Sequence, residues 1–209
     1  MSNQQEFRTA DINAVDDEEM KIQGYALRFN EESNLLGEFV EVISPEALEE
    51  ADMSDVRMLI NHDQNYVIGR TTAGTLDLEV TEEGLYFRCT LPNTSYARDI
   101  YENIKLGNVS QCSFGMVVDS DGDSFERRND GIFKRTINKI QSIFDCSVVS
   151  FPAYNSSSVE PALRSIEAIK ESEQAEVRKA QEAEVRKAQE AEQRKLDLAK
   201  AQIELLKLK

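Results

Sequence analysis

The composition of the chain changes abruptly near Ser165. Every aromatic residue, glycine and proline of the 209-residue sequence lies before this position, whereas the remainder is rich in good helix formers and carries balanced charge. Without glycine or proline to form turns, residues 165–209 are predicted to form a charged helical tail. We therefore expect one folded domain at residues 20–164, preceded by a disordered acidic segment at residues 1–19.

An eight-residue unit, AEVRKAQE, occurs twice in this tail, beginning at Ala175 and at Ala183. Because each helical residue advances by about 100°, such a repeat drifts by about 80° per unit, and Val177 and Val185 do not form a straight stripe. This poor heptad favours a solvated helix or a loose coiled coil over a dedicated oligomerisation rod. Only the apolar end, residues 196–208, suggests self-association or a scaffold-like extension.

The front domain contains short segments in which apolar and polar residues alternate, as in strands with one buried face. Segments around Leu78 and Phe87 are joined by an acidic turn ending at Gly84 and predict a β-hairpin. A helix is predicted to begin with Thr94 or Ser95 as its N-cap and to end at Gly107. The pattern indicates an α+β fold, mainly an antiparallel β-barrel with peripheral helices, plus the long C-terminal helix. Further strands are predicted at residues 21–29, 38–43, 112–118, 132–140 and 143–151.

Charge and residue counts exclude several functions. The net charge of −15 resides in the front part and argues against nucleic-acid binding, which requires a basic face. No apolar run reaches the length of a membrane-spanning helix, so no membrane partner is expected. Cys89, Cys112 and Cys146 show no CxxC spacing and are predicted to be buried free thiols. His62 is the one histidine, which excludes a His-rich zinc site, and no metal or cofactor is predicted.

Three short segments carry residues suited to catalysis. His62 ends an apolar run, where a histidine is more often structural than catalytic. Ser113 is followed by Gly115, which would let the backbone approach a substrate carbonyl, although an ordinary strand start has the same pattern. Asp145 lies in an apolar β-branched strand, so its carboxyl group must be paired, hydrogen-bonded or protonated. Together they supply a nucleophile, a general base and an acid that orients the base, without any GxSxG or SxxK motif.

The same segments resemble the signature blocks of the phage prohead protease family, which is related to the herpesvirus assemblin proteases. The sequence NHD at residues 61–63 is similar to the histidine block, and CSFG at residues 112–115 to the serine block. DCSVVSFPAY at residues 145–154 resembles the acidic block with its Pro-Ala-Tyr ending. The blocks follow the family's order over about residues 20–165, which is more specific than any single motif.

This resemblance implies a herpesvirus-protease-like barrel and a serine endopeptidase of capsid maturation. It assigns the general base to His62, the nucleophile to Ser113 and the histidine-orienting acid to Asp145. The implied substrates are the scaffolding segment of the major capsid protein and the protease itself, inside the procapsid in the host cytoplasm. The alternative is a non-catalytic scaffolding or docking protein of the procapsid, in which the tail acts and the front domain is a carrier.

Two departures from the family bear on these assignments. Asp145 stands where glutamate is frequent, which shortens the reach to His62 by one methylene group. Asp63 is the rival acid, but a neighbour of His62 in a strand would point to the opposite side. The herpesvirus relatives use a second histidine, which this chain lacks.

One acidic segment resembles a metal-binding loop but has a simpler interpretation. Residues 119–123 (DSDGD) look like a calcium loop, but Asp130 occupies the position of the required glutamate, so we expect an Asp/Gly-rich hairpin turn.

Self-processing is expected in an exposed, extended linker between Asn155 and Gln174, because proteases cleave mobile backbone.

Overall fold

The computed structural model describes residues 5–16, 18–150 and 156–207 of the chain. Contacts between residues divide the chain into two compact units, Met1–Leu163 and Arg164–Lys209. The helices are α1 (Ser95–Lys105) and α2 (Ser156–Lys207). The strands of the described residues are β1 (Gln5–Asp16), β2 (Lys21–Arg28), β3 (Phe39–Ile43), β4 (Arg57–Ile60), β5 (Asp63–Arg70), β6 (Leu76–Val80), β7 (Gly84–Thr90), β8 (Gln111–Val118), β9 (Asp123–Arg127), β10 (Phe133–Ile137) and β11 (Ile140–Val149).

Eight strands form one nearly closed sheet in the order β5-β4-β11-β8-β1-β2-β7-β6. Neighbouring strands are antiparallel except for β4 and β11, which are parallel. The sheet curls until β5 meets β7, where the Cys89 sulfur lies 3.5 Å from the carbonyl oxygen of Ile68. A side chain at Gly69 would overlap that sulfur, so glycine permits the close approach. The mainly antiparallel barrel predicted from the sequence is confirmed.

The two-residue period of β8 and β11 separates the core from the polar side chains. On one face of these strands, apolar side chains enter the hydrophobic core of the first unit. Ser113 on β8, and Asp145 and Ser147 on β11, alternate with them and therefore point to the opposite face. The core members that alternate with these three residues are Cys112, Phe114, Met116, Cys146 and Val148. Ile140 and Ile143 join the core from the first part of β11, where the pairing register with β8 shifts.

The predicted helix and hairpin are also present. The Thr94 hydroxyl caps α1 by accepting a hydrogen bond from the backbone N–H of Ala97, and the chain leaves the helix through Gly107, whose φ is 75°. β6 and β7 pair with Leu78 opposite Phe87, as the alternation predicted. The buried face of α1 consists of Ala97, Ile100, Tyr101 and Ile104.

The prediction of disorder over residues 1–19 is wrong for residues 5–16, which form β1. The first half of this strand pairs with β8, where Asp11 faces Gln111, and the second half pairs with β2, where Ile12 faces Gly24. Backbone hydrogen bonds to two neighbouring strands hold β1 in place, and these bonds do not require apolar side chains. The polar composition of the segment therefore did not indicate a strand. Residues 1–4 and 17 lie outside the described residues.

Residues 119–123 turn the chain but do not close the predicted hairpin. β8 ends at Val118, and β9 pairs instead with β10 in a separate three-stranded sheet of order β3-β10-β9. Similarly, the single strand predicted over residues 132–140 is divided between β10 and the first residue of β11. Turn chemistry indicates that the chain bends there but does not specify which strands then pair.

α2 begins nine residues before the predicted tail, at Ser156. The expected extended linker is therefore helical from Ser156 to Gln174, while Asn155 and the Phe151–Tyr154 ending of the acidic block lie outside the described residues. Local propensity is only a weak guide to where a helix begins. In the second unit Val177 and Val185 are each 56% exposed, as expected for a solvated helix. Neither helix of the described residues has the length and apolarity needed to cross a membrane.

A buried ion cluster holds the three-stranded sheet together. Arg135 on β10 is 2% exposed and donates from Nη1 to Glu41 Oε2 at 2.8 Å, and from Nε to Asp123 Oδ2 at 2.7 Å. Glu41 lies directly opposite Arg135 in the parallel pairing of β3 with β10. Because a buried charge loses its hydration, a shifted register would leave these charges poorly compensated. The cluster therefore favours a single register of the three strands.

We predict that Arg135→Ala lowers the free energy of unfolding by about 3–5 kcal/mol, because it removes the cation that compensates buried Glu41. Urea denaturation monitored by circular dichroism measures the change. Lys134→Ala on the same strand is the control, and its effect should stay within about 0.5 kcal/mol because Lys134 points to the other side of the sheet and is half-buried. Equal effects of the two substitutions would contradict a role for the ion cluster.

Candidate active site

His62 lies in the two-residue turn that joins β4 to β5. Ile60 and Asp63 face each other across the hairpin, and the two residues between them have left-handed backbone, with φ of 52° at Asn61 and 59° at His62. Positive φ at both positions is the geometry of a type I′ turn, which usually takes Asn-Gly. A side chain at the second position costs on the order of 1–2 kcal/mol. The fold therefore accepts strain to hold an imidazole here.

Two hydrogen bonds to the region of β11 stabilise this strained turn. The backbone N–H of Asn61 donates to the carbonyl oxygen of Val148 at 2.8 Å. The side-chain oxygen of Asn61 accepts from the N–H of Ser150 at 2.9 Å. Since β4 also runs parallel to β11, the turn is held beside the strand that carries Asp145. Strain of this kind persists only where surrounding contacts overdetermine the conformation, as they do here.

The structure brings His62 and Asp145 into direct contact. Nδ1 of the ring lies 2.8 Å from Asp145 Oδ2, and the two side chains are 16% and 6% exposed. An ionised carboxylate can only accept hydrogen bonds, so Nδ1 must carry the proton in this contact. The neutral ring then has its acceptor lone pair at Nε2, which is the protonation state that a general base requires.

Ser147 provides a further contact to Asp145 that the sequence analysis did not identify. Its hydroxyl donates to Asp145 Oδ1 at 2.5 Å, and the residue is completely buried. The two residues are two positions apart on β11 and therefore share a face. Period-two alternation was the available signal, but it does not distinguish a hydroxyl that contacts Asp145 from one that merely lies nearby.

Ser113 lies on β8 directly opposite Ser147, with Thr9 of β1 on its other side. Asp145 is two residues from Ser147, so Ser113 and Asp145 are diagonal neighbours on one face of the sheet. Ser113 is fully buried, and within the described part of the chain its Oγ has no hydrogen-bond partner. Such a hydroxyl costs about 1–3 kcal/mol, which a purely structural serine would avoid. The Ser113 hydroxyl therefore makes no hydrogen bond to His62 in this structure, and its role as nucleophile remains a prediction.

The sequence suggested that Gly115 lets the backbone approach a substrate carbonyl, but the position of Gly115 in the sheet does not favour this role. Gly115 lies within β8, opposite Asp145 on β11 and Phe7 on β1. Gly115 therefore lies on the same side of the sheet as Ser113 and Asp145. Because β8 pairs on both sides, its backbone N–H groups are directed to neighbouring strands. This position therefore gives little support to the idea that the Gly115 backbone stabilises an oxyanion.

The other candidate groups near the site are chemically less suitable. Burial raises the pKa of the Cys112 thiol far above its usual range, with a smaller contribution from the charge of Asp145, and burial likewise raises the pKa of Cys146. Protonated thiols are poor nucleophiles. Asp63 accepts hydrogen bonds from the backbone and side-chain nitrogens of Asn65 at 2.9 and 2.8 Å. The predicted buried free thiols are confirmed at Cys89, Cys112 and Cys146.

Comparison with known proteins adds three findings. A family model described as caudovirus prohead serine protease matches residues 8–172, a range that includes most of β1 and all three predicted catalytic residues. No curated protein matches the chain significantly. Among solved structures, the bacteriophage T4 capsid assembly protease gp21 matches with a TM-score of 0.45 and 13% sequence identity, covering 69% of this chain and 97% of that chain.

We predict that Asp145→Asn changes which nitrogen of His62 carries the proton, from Nδ1 to Nε2, because an amide can donate to the ring where a carboxylate only accepts. Nitrogen NMR of the imidazole measures this directly, since the chain contains one histidine. Asp63→Asn is the matched control and should leave the spectrum unchanged. An unchanged spectrum in Asp145→Asn would show that Asp145 does not determine the tautomer.

Proposed function

Because the chain belongs to the caudovirus prohead serine protease family, we propose that it is a serine endopeptidase of phage capsid maturation. In this proposal it cleaves the scaffolding segment of the major capsid protein, and also itself, within the procapsid. The observation that carries the proposal is the 2.8 Å contact between His62 Nδ1 and Asp145 Oδ2, on the face of the sheet where Ser113 is buried.

The proposed reaction is acyl transfer through Ser113. Nε2 of His62 takes the hydroxyl proton as Ser113 Oγ attacks the substrate carbonyl carbon, and Asp145 stabilises the imidazolium that forms. The imidazolium then gives its proton to the departing amine as the peptide bond breaks, which leaves an acyl group on Ser113. Water, deprotonated by His62, hydrolyses this ester and restores the serine. Neutralisation of the imidazolium charge is most effective when the carboxylate is held in place and shielded from water.

The backbone of the His62 turn supports a catalytic rather than a structural histidine. Glycine would fit φ of 59° without strain, and a histidine that served only the core would not require this position. Asn61 instead ties the strained turn to Val148 and Ser150. Strained residues held by surrounding contacts are common in active sites because strain there maintains a reactive geometry.

The tail is proposed to recruit the protease to its substrate. α2 combines exposed charged residues of both signs, including an ion pair between Arg186 and Glu190, with exposed Val177 and Val185. Such a helix suits reversible docking to the scaffolding segment, or self-association with a second copy. Because an α-helix does not offer extended backbone to a protease, residues 156–174 are not favoured as the self-processing site.

We predict that Ser113→Ala abolishes cleavage of a capsid-scaffold peptide, with a loss of at least about 10³-fold in kcat/KM, because no other group replaces the nucleophile. Mass spectrometry of the products measures the rate. Ser110→Ala is the control, since Ser110 is exposed and precedes β8, and it should retain most of the activity. Full activity in Ser113→Ala would reject Ser113 as the nucleophile, whereas absence of cleavage by the wild-type chain would favour the non-catalytic scaffolding alternative.

Removing all residues after Arg164 is predicted to leave a folded domain that still cleaves the peptide, because the first compact unit ends at Leu163. Cooperative thermal unfolding and the peptide assay test this, while incorporation into assembling capsid shells should fall. Incubation of the full-length chain beside its Ser113→Ala variant tests self-processing. Loss of the tail in both would indicate a contaminating protease, and a truncated domain without cooperative unfolding would show that the tail is required for folding.

A further inference from the structure

We propose that Ser147 is a positioning residue, whose hydroxyl holds the Asp145 carboxylate in the orientation that aligns His62. This inference deepens the proposed function and rests on it. Ser147 would not touch the substrate or the reacting atoms. It would act through Asp145, as the second of two donors to that carboxylate.

Two hydrogen bonds fix the orientation of the Asp145 carboxylate. The terminal torsion of an aspartate has a broad energy profile, so one hydrogen bond leaves a carboxylate some freedom to rotate. Asp145 has a separate donor on each oxygen, with Ser147 Oγ at 2.5 Å from Oδ1 and His62 Nδ1 at 2.8 Å from Oδ2. Two donors from different elements fix the plane of the carboxylate. That plane decides whether Nδ1 of the imidazole remains aligned with Oδ2.

Burial strengthens the hydrogen bond between Ser147 and Asp145. Ser147 is completely buried and Asp145 is 4% exposed, so water competes little for this hydrogen bond. A hydroxyl donating to an ionised carboxylate typically lies about 2.5–2.7 Å away and forms one of the stronger hydrogen bonds in proteins. The observed 2.5 Å falls in this range. The strand supplies the donor at little entropic cost, because both residues lie on the same face of β11.

Ser147 must also be considered as a rival nucleophile, because it lies directly opposite Ser113. The two hydroxyls differ in their surroundings. The Ser147 proton is donated to Asp145, whereas the Ser113 hydroxyl has no hydrogen-bond partner among the described residues. A nucleophile must pass its proton to the base, and a proton held by the carboxylate is directed away from that transfer. The geometry therefore assigns positioning to Ser147 and attack to Ser113.

The test compares Ser147→Ala with Ser147→Thr, which keeps the hydroxyl, and with Ser142→Ala as a control on the same strand. In metal sites, outer partners that orient a histidine are worth about 10- to 100-fold, and we expect a similar loss of kcat in Ser147→Ala. KM should change by less than about twofold, since substrate contacts are unaffected. Ser147→Thr should recover kcat to within about threefold of wild type, and Ser142→Ala should match wild type.

Imidazole NMR gives a readout that a purely structural role would not change. The one histidine makes the signals unambiguous, and the proton on Nδ1 should exchange faster with water in Ser147→Ala while the thermal unfolding transition stays cooperative. Wild-type exchange and wild-type kcat in Ser147→Ala would overturn the proposal. So would a folded Ser147→Thr variant with the defects of Ser147→Ala.

Two measurements on the wild-type protein cover the remaining outcomes. If both Ser147 variants fail to fold, the wild-type Ser147 hydroxyl proton still reports on the contact, and rapid exchange of that proton would overturn the proposal. Labelling with a fluorophosphonate followed by peptide mapping should modify Ser113, and modification of Ser147 would transfer the nucleophile to it. If wild type cleaves no peptide, the proposed function fails, whereas the imidazole spectra still test whether Ser147 positions Asp145.

Discussion

The buried carboxylate of Asp145 is the constraint on which the site depends. A charge in this position is tolerated only when donors replace its lost hydration. His62 supplies one donor from a turn and Ser147 supplies the other from the same strand. The need to satisfy a single buried carboxylate therefore links the β4–β5 turn to β11 and holds the imidazole against Asp145.

The barrel makes this arrangement compatible with a stable core. Alternate residues of β8 and β11 fill the interior with Phe114, Met116 and Val148, while the serines and the aspartate of the site lie on the opposite face. Because the alternation has a period of two, each strand contributes to packing and to the site without compromising either. A one-residue slip of β11 would exchange the two sets, so the hydrophobic core itself stabilises the register that places Ser147 opposite Ser113.

Sequence patterns correctly predicted the strands and the helix whose formation depends on residues close together in the chain. Alternation identified β2, the β6–β7 hairpin and β8, and the Thr94 cap identified α1, because each depends on neighbouring residues. The patterns failed for β1, whose polar residues are held by two neighbouring strands, and for the turn at His62, which lacks the usual glycine. They also missed that β9 pairs with β10 rather than with β8, since strand partners are chosen by long-range packing.

The sequence by itself determined the class of fold, the absence of a second histidine and the identity of the three candidate residues, His62, Ser113 and Asp145. The sequence also predicted the change to a helical tail, because helix propensity and charge pattern are local properties. Only the tertiary structure decided which groups meet Asp145 and which hydroxyl it engages. The His62–Asp145 contact joins residues that lie 83 positions apart, and it arises only when parallel pairing of β4 with β11 brings the strained turn beside the buried carboxylate.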